Sequence, residues 1–121
     1  VERDRTVLRI LQRNIDRLGC AERVRAVQGD ALSASALVGV RTPVDIIFID
    51  PPYAEMAEEV GRRRVLAQIA RCRALMGEKG FVVLRTPVDP ETHDHAVPGF
   101  VGPEVHRYGQ EMRVLLYAPG G

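Results

Sequence analysis

The segment IIFIDPPY, at residues 46–53, limits the folds open to this chain more than any other part of it. Its apolar residues, 46–49, form a short continuous run that is typical of a parallel strand covered on both faces. Asp50 ends the run, and Pro51 and Pro52 cannot extend a hydrogen-bond ladder because proline lacks an amide N–H. The pattern predicts a stiff, acid-bearing loop at the carboxyl end of a strand, where open α/β sheets bind their ligands.

Helical and strand-like segments alternate along the chain. Helices are expected at residues 4–18, 31–38 and 54–76. Strands are expected at residues 23–30, 44–50, 81–84, 104–108 and 112–118, the last two joined by a turn at Gly109. This order predicts an α/β fold in which a mostly parallel sheet carries helices on both faces and ends in an antiparallel hairpin.

Composition narrows the class of protein but does not identify a partner. The 121 residues, 45% hydrophobic and 27% charged, are those of one modest soluble globular domain. No apolar run reaches the length of a membrane span and nothing resembles a signal peptide, so we expect no membrane partner and a cytoplasmic location. Cys20 and Cys72 lack the spacing of metal ligands, and no metal is expected.

Three acidic residues occupy comparable places along the predicted sheet. Asp30 and Asp50 each follow a predicted strand, and Glu2 lies near the start of the chain. If the strands are parallel, these carboxylates lie along one rim, where a nucleotide-like ligand would meet them and its ribose hydroxyls would donate to a carboxylate. Structural roles stay open, because Asp30 would also suit the N-cap of a helix and Glu2 could be a solvated terminal residue.

Five motifs follow one another in a fixed order: VERDR at 1–5, RNIDRLG at 13–19, VQGDA at 27–31, FIDPPY at 48–53 and RYGQE at 107–111. DPPY after a hydrophobic strand resembles the motif of amino-group methyltransferases that use S-adenosylmethionine on a Rossmann-like class I fold. The ordered set resembles the RsmD family, which methylates the N2 amino group of a guanine in small-subunit ribosomal RNA. The resemblance covers nearly the whole chain.

The resemblance implies which residues would bind the cofactor. Glu2 would bind the ribose of S-adenosylmethionine, and Asp30 with Ala31 would lie at its adenine. Asp50 would lie close to the cofactor as well as to the substrate.

The same resemblance makes Asp50, Pro51, Pro52 and Tyr53 the catalytic loop, which would hold the target base. An exocyclic purine amine is a poor nucleophile because its lone pair is conjugated with the ring. If the Asp50 carboxylate and the Pro51 carbonyl accept its two N–H bonds, the nitrogen can become tetrahedral with its lone pair aimed at the methyl group. Tyr53 would stack on the base, which must lie outside any helix.

Several features of the family are missing from the sequence. There is no glycine-rich turn for the methionine part of the cofactor, and the first strand, the first helix and most of the second strand would also be absent. We therefore expect residues 1–121 to be one incomplete catalytic domain that is inactive in isolation. The missing first strand would lie beside the DPPY strand, which leaves an apolar gap through which the chain could associate with a partner. Arg85, in LRTP, stands where the family tends to have an acid.

A run of three arginines, Arg62, Arg63 and Arg64, follows the DPPY loop within about three turns of helix and is a candidate RNA-binding site. A solvated helix surface is the competing and slightly favoured interpretation.

The function that the sequence favours is methyl transfer from S-adenosylmethionine to a guanine N2 amine, with ribosomal RNA or the small ribosomal subunit as the partner. Two other functions stay open. One is adenine-N6 methylation of DNA or RNA, which uses the same loop. The other is an inactive remnant that binds RNA or a partner protein.

Overall fold

A computed structural model describes residues 1–120 of the chain, which form two compact units, Val1–Val38 and the residues from Gly39 onward. The helices are α1 (Arg5–Arg17), α2 (Tyr53–Ala57) and α3 (Glu59–Cys72), with 3₁₀ turns at Ala34–Leu37 and Arg73–Leu75. The strands are β1 (Val44–Ile49), β2 (Met76–Thr86), β3 (Phe100–Tyr108) and β4 (Met112–Pro119). The prediction that residues 1–121 form a single domain stays a prediction.

Helix α1 of the first unit begins and ends at local signals in the sequence. Asp4 is the N-cap, and its Oδ1 accepts from the amides of Thr6 at 2.8 Å and Val7 at 3.0 Å. At the other end Gly19 has φ +65°, a conformation that glycine adopts at little cost, and its amide donates to the carbonyl of Asp16. The predicted helix at 4–18 is confirmed.

The predicted strand at 23–30 is wrong. That segment contains one isolated β-bridge, from Gln28 to Glu2 in parallel orientation, and no strand. A strand needs a neighbour over several residues, and here the neighbouring segment turns into α1 soon after Glu2. The predicted helix at 31–38 shortens to Ala34–Leu37, because the Ser33 hydroxyl and amide both bond to the carbonyl of Asp30 and form a local turn instead.

The second unit contains a four-stranded sheet in the order β1-β2-β4-β3. β1 and β2 are parallel, whereas β4 is antiparallel to both β2 and β3. The predicted α/β fold with a C-terminal antiparallel hairpin is confirmed, but the sheet is mixed rather than mostly parallel because the segment at 23–30 does not join it. β1 is an edge strand of this sheet, with β2 as its one neighbour in the strand order among residues 1–120.

The predicted helix at 54–76 is divided into α2 and α3, which are separated at Glu58 in an extended conformation (φ −82°, ψ 136°). The side chain of Arg62 explains why the break is stable. It is 7% exposed, and its Nη1 donates to the carbonyls of Met56 at 3.0 Å and Ala57 at 3.4 Å. In a continuous helix, backbone amides of the following turn would have donated to these two carbonyls instead.

The core of the second unit lies on one face of the sheet. Side chains of alternate residues in β2 and β4 are buried, as are those along one side of α3: Val82, Leu84, Leu115, Tyr117, Val65, Ile69 and Cys72. Burial raises the pKa of the Tyr117 hydroxyl, which donates to the carbonyl of His95 at 2.7 Å. Through that bond the loop before β3 is tied to the core.

The opposite face of β1 and β2 is apolar and largely open. Ile46 and Phe81 are cross-strand neighbours and are 55% and 48% exposed, and Phe48 is 75% exposed. Association of the chain through this sheet stays a prediction. Among residues 1–120, no helix is both long enough and apolar enough to cross a membrane.

Gly61→Ala is expected to destabilise the protein, because a Cβ at this position would overlap the backbone carbonyl of Glu55 where α2 and α3 approach each other. Overpacking of this kind costs about 1–3 kcal/mol of the free energy of unfolding, measurable by urea denaturation. Gly77→Ala is the control, since its Cβ would meet only Pro43 at an ordinary 3.6 Å. Equal losses in the two variants would contradict the close approach at Gly61.

Acid is expected to destabilise the protein through His95, which is 1% exposed. Burial lowers the pKa of His95 below its ordinary 6.5. The unfolded chain then binds a proton that the folded chain excludes, so the free energy of unfolding decreases as the pH falls through 6.5 toward the lower folded pKa. Urea denaturation at several pH values should show a weaker pH dependence for His95→Asn than for the wild type, and an unchanged dependence would contradict the role of His95.

Candidate active site

The DPPY loop joins β1 to α2 and is anchored on both sides. Pro51 is buried, and Pro52 is the N-cap residue of α2, with its carbonyl accepting from the amides of Glu55 at 3.0 Å and Met56 at 3.3 Å. Met56 itself is fully buried. The fixed φ angles of the two prolines, the helix that starts immediately after them and the buried methionine together hold the loop in one conformation.

Two hydrogen-bond acceptors of this loop, one carboxylate oxygen and one backbone carbonyl, have no partner within residues 1–120. The Asp50 side chain is 58% exposed, and only its Oδ1 is bonded, to Nε of Arg85 at 2.9 Å. The carbonyl of Pro51 has no hydrogen bond among residues 1–120. Tyr53, the first residue of α2, presents an aromatic ring that is 57% exposed. Two adjacent acceptors beside an exposed ring suit an amino group carried on a planar ring system.

The three arginines predicted to contact RNA differ from one another. Arg62 is buried at the junction of α2 and α3, so its guanidinium has a structural role there and is not a surface contact. Arg63 is exposed and pairs with Glu59 at 2.7 Å, and Arg64 pairs with Glu55 at 3.1 Å. Of these three arginines, only Arg63 and Arg64 present charge at the surface of α3.

The acids of the first unit lie on two paired segments. The bridge between Glu2 and Gln28 brings the segments that carry Glu2 and Asp30 side by side. Glu2 Oε1 accepts from the amide of Asp4 at 3.0 Å, and Asp30 Oδ1 accepts from the amide of Leu32 at 2.9 Å. Asp30 therefore stabilises a turn rather than capping a helix, while the neighbouring Ala31 is exposed. Asp50 belongs to the second unit.

Arg85 is the residue of this site whose role the sequence did not reveal. In the sequence it stands out only as a departure from the family pattern, yet it bonds directly to Asp50. A signal was present in the two apolar runs, 46–49 and 81–84, each four residues long and each followed by a charged residue. Aligning the runs end to end as parallel strands would have placed the two charges side by side.

A second charged cluster fixes the loop that follows β2. The Glu91 amide bonds to Asp89 and, with Arg107 and Arg113, lowers the pKa of the Asp89 carboxyl. Arg107 Nη1 donates to Asp89 at 2.8 Å, and Arg113 Nη2 donates to the same oxygen at 3.2 Å. The RYGQE motif thus begins with an arginine that ties the hairpin to this loop. Among residues 1–120 no group of three His, Cys, Asp or Glu side chains could hold a metal ion.

Comparison with solved structures shows the fold of the chain. A conserved hypothetical protein of Streptococcus pyogenes superposes with a TM-score of 0.71 at 24% identity, over 98% of this chain and 69% of that one. TrmN from Thermus thermophilus superposes with a TM-score of 0.70 at 23% identity, over 96% of this chain and 34% of that one. At these identities the likeness is one of fold, and it supports the predicted Rossmann-like methyltransferase sheet.

Comparison of sequences shows the family. The release factor glutamine methyltransferase of Chlorobaculum tepidum is 36% identical over 74 residues, 61% of this chain. The matched part makes up 25% of the length of that relative. The family described as conserved hypothetical protein 95 matches residues 1–117. The chain therefore belongs to that family, an RsmD-like methyltransferase family, as its ordered motifs indicated.

Proposed function

We propose that this protein is the DPPY-bearing part of an S-adenosylmethionine-dependent methyltransferase that modifies the N2 amino group of a guanine in small-subunit ribosomal RNA. The observation that carries the proposal is that two acceptors of the DPPY loop, Asp50 Oδ2 and the Pro51 carbonyl, have no hydrogen bond among residues 1–120 and are followed in the loop by the exposed ring of Tyr53. Membership of an RsmD-like family supports it independently.

The loop would act by orienting the amine rather than by removing its proton first. Two acceptors can bind both N–H bonds of an exocyclic amine and draw its nitrogen toward tetrahedral geometry. Tyr53 would stack on the base, a contact worth about 1–3 kcal/mol in single-stranded nucleic-acid sites. The base would have to leave any duplex to reach the loop.

The carboxylates of the first unit fit the ribose and adenine of the cofactor. Glu2 uses only Oε1 within residues 1–120, so Oε2 can accept from a ribose hydroxyl. Asp30 and the exposed Ala31 lie on the adjacent segment, where the adenine would bind. S-adenosylmethionine would supply an electrophilic methyl group. The sequence contains no glycine-rich turn for the methionine part, and we propose that the 121-residue chain alone does not catalyse the reaction.

RNA would meet the protein at α3 as well as at the loop. Arg63 and Arg64 are exposed at the start of α3, close in sequence to the DPPY loop, and guanidinium groups bind phosphates well. Their partners, Glu59 and Glu55, would be exchanged for phosphate oxygens, which a weak surface pair permits. Ribosomal RNA or the small subunit is the proposed partner, in the cytoplasm.

A glutamine side-chain amide is the second candidate substrate. The similarity to a release factor glutamine methyltransferase favours it, and the same two acceptors would bind an amide nitrogen. Adenine N6 would be bound in the same manner. Guanine, adenine and glutamine carry the reacting nitrogen on different groups, so identification of the methylated product shows which of them is the substrate.

Asp50→Ala is expected to lower the methylation rate by at least about a hundredfold, because it removes one of the two acceptors. The complete gene product that contains these residues would be incubated with S-adenosylmethionine and RNA from unmodified small subunits, and the RNA digested for nucleoside mass spectrometry. N2-methylguanosine is the expected product. Asp45→Ala is the matched control, since Asp45 is an exposed acid of β1, the strand that precedes Asp50, and its loss is expected to leave the rate unchanged.

Other products would overturn parts of the proposal. Methyladenosine, or methylglutamine in a release factor, would keep the chemistry of the loop and refute the guanine assignment. A folded protein that binds RNA and methylates none of these substrates would favour the binding remnant instead.

A further inference from the structure

We infer that Arg85 is a positioning residue for Asp50. It holds one oxygen of the carboxylate and thereby directs the other to the substrate amine. The inference rests on the proposed function, since it concerns the orientation of a group that this function places against the substrate.

The register of two parallel strands produces the pairing. Ile49 of β1 lies opposite Leu84 of β2, so the next residues, Asp50 and Arg85, follow the paired positions side by side. Arg85 is still within β2 and is itself paired with Val114 of β4. Its backbone is thus held in the sheet by β4, one residue beyond the last pair with β1.

The atoms that form the bond limit its freedom. Arg85 bonds through Nε, at 2.9 Å from Asp50 Oδ1, rather than through the terminal nitrogens at the end of the side chain. Because Nε is the guanidinium nitrogen nearest the backbone, fewer rotatable bonds separate it from the strand. The planar guanidinium then defines the direction from which Oδ1 is approached, which a lysine ammonium would not do.

The pair has little importance for stability. Both side chains are half exposed, at 50% for Arg85 and 58% for Asp50, and exposed ion pairs contribute little to the free energy of unfolding. Its effect is on orientation. A carboxylate with two unbonded oxygens rotates, whereas one anchored through Oδ1 keeps Oδ2 in a fixed place, and Oδ2 has no hydrogen bond among residues 1–120.

Arg85 completes a rigid acceptor pair. The Pro51 carbonyl is fixed by the backbone of the loop, and the Asp50 oxygen is fixed by Arg85, so neither acceptor has to be ordered when the amine binds. Loss of Arg85 should therefore reduce the rate of the chemical step more than the affinity for RNA.

The test compares steady-state methylation by the complete gene product in the wild type, Arg85→Gln and Arg85→Lys. Arg85→Gln is expected to lower kcat by about ten- to a hundredfold with KM for RNA within about threefold of the wild type. Arg85→Lys should recover part of the loss, because it keeps the charge without the planar fork. Arg107→Gln is the matched control: it breaks an exposed arginine–aspartate pair of 2.8 Å in the same unit and should leave kcat unchanged.

A double-mutant cycle shows whether Arg85 acts through Asp50. In Asp50→Asn, the further change Arg85→Gln should have almost no additional effect on kcat, since there is no longer a carboxylate to orient. Losses that multiply would mean that Arg85 acts elsewhere and would overturn the inference. So would an increase in KM alone, which would place Arg85 on the RNA, or an equal loss in Arg107→Gln.

The two proposals fail in different ways. A wild-type protein that methylates no amine refutes the proposed function, and the role of Arg85 with it. An active wild type whose Arg85→Gln variant is equally active refutes the role of Arg85 alone. Circular dichroism of each variant identifies loss of fold. If Arg85→Gln does not fold, the comparison of kcat between Arg85→Lys and the wild type tests the role of Arg85.

Discussion

The parallel pairing of β1 with β2 determines the arrangement of the second unit. It ends at Ile49 and Leu84, and the residues that follow them, Asp50 and Arg85, are both charged. After β1 the two prolines cannot extend the ladder, and the chain continues as α2. The position of the candidate site is therefore a consequence of register. A slip of one residue would move the buried set to the open face and separate the two charges.

Local signals in the sequence were sufficient to predict the helix and the hairpin, whose formation depends mainly on residues close to one another in the chain. Helix α1 was predictable because Asp4 and Gly19 mark its ends and its apolar residues repeat at helical spacing. The hairpin was predictable from two β-rich runs around Gly109. The strand at 23–30 was not, because valine-rich alternation shows only that a segment can pair, and the pairing itself requires a neighbour of equal length. Sequence patterns report the face a segment would bury and not whether a partner is present.

The features of the site that escaped prediction are contacts between residues distant in sequence. Arg62 looked like part of a surface run, yet its side chain reaches the carbonyls at the end of α2 and stabilises the break at Glu58. No periodicity encodes that contact, since the break and the buried guanidinium stabilise each other. Arg85 and Asp50 are 35 residues apart, and their bond follows from register alone. The sequence was sufficient to identify the DPPY loop, whereas the bond that orients the Asp50 carboxylate is seen only in the structure.

The carbonyls of the two prolines have different roles: one accepts hydrogen bonds within α2, and the other has no hydrogen bond among residues 1–120. The carbonyl of Pro52 accepts from the first amides of α2, which any helix must satisfy, so it is not available to a substrate. The carbonyl of Pro51 precedes a residue without an amide N–H, and no amide of the helix reaches it. Pro51 and Pro52 also fix the backbone φ angles on both sides of this carbonyl, so the oxygen keeps one position relative to the Asp50 carboxylate. A site for an amino group therefore gains from an acid, two prolines and an aromatic ring in sequence, since the acid and the first proline supply acceptors, the second proline starts the helix and the ring offers a flat surface.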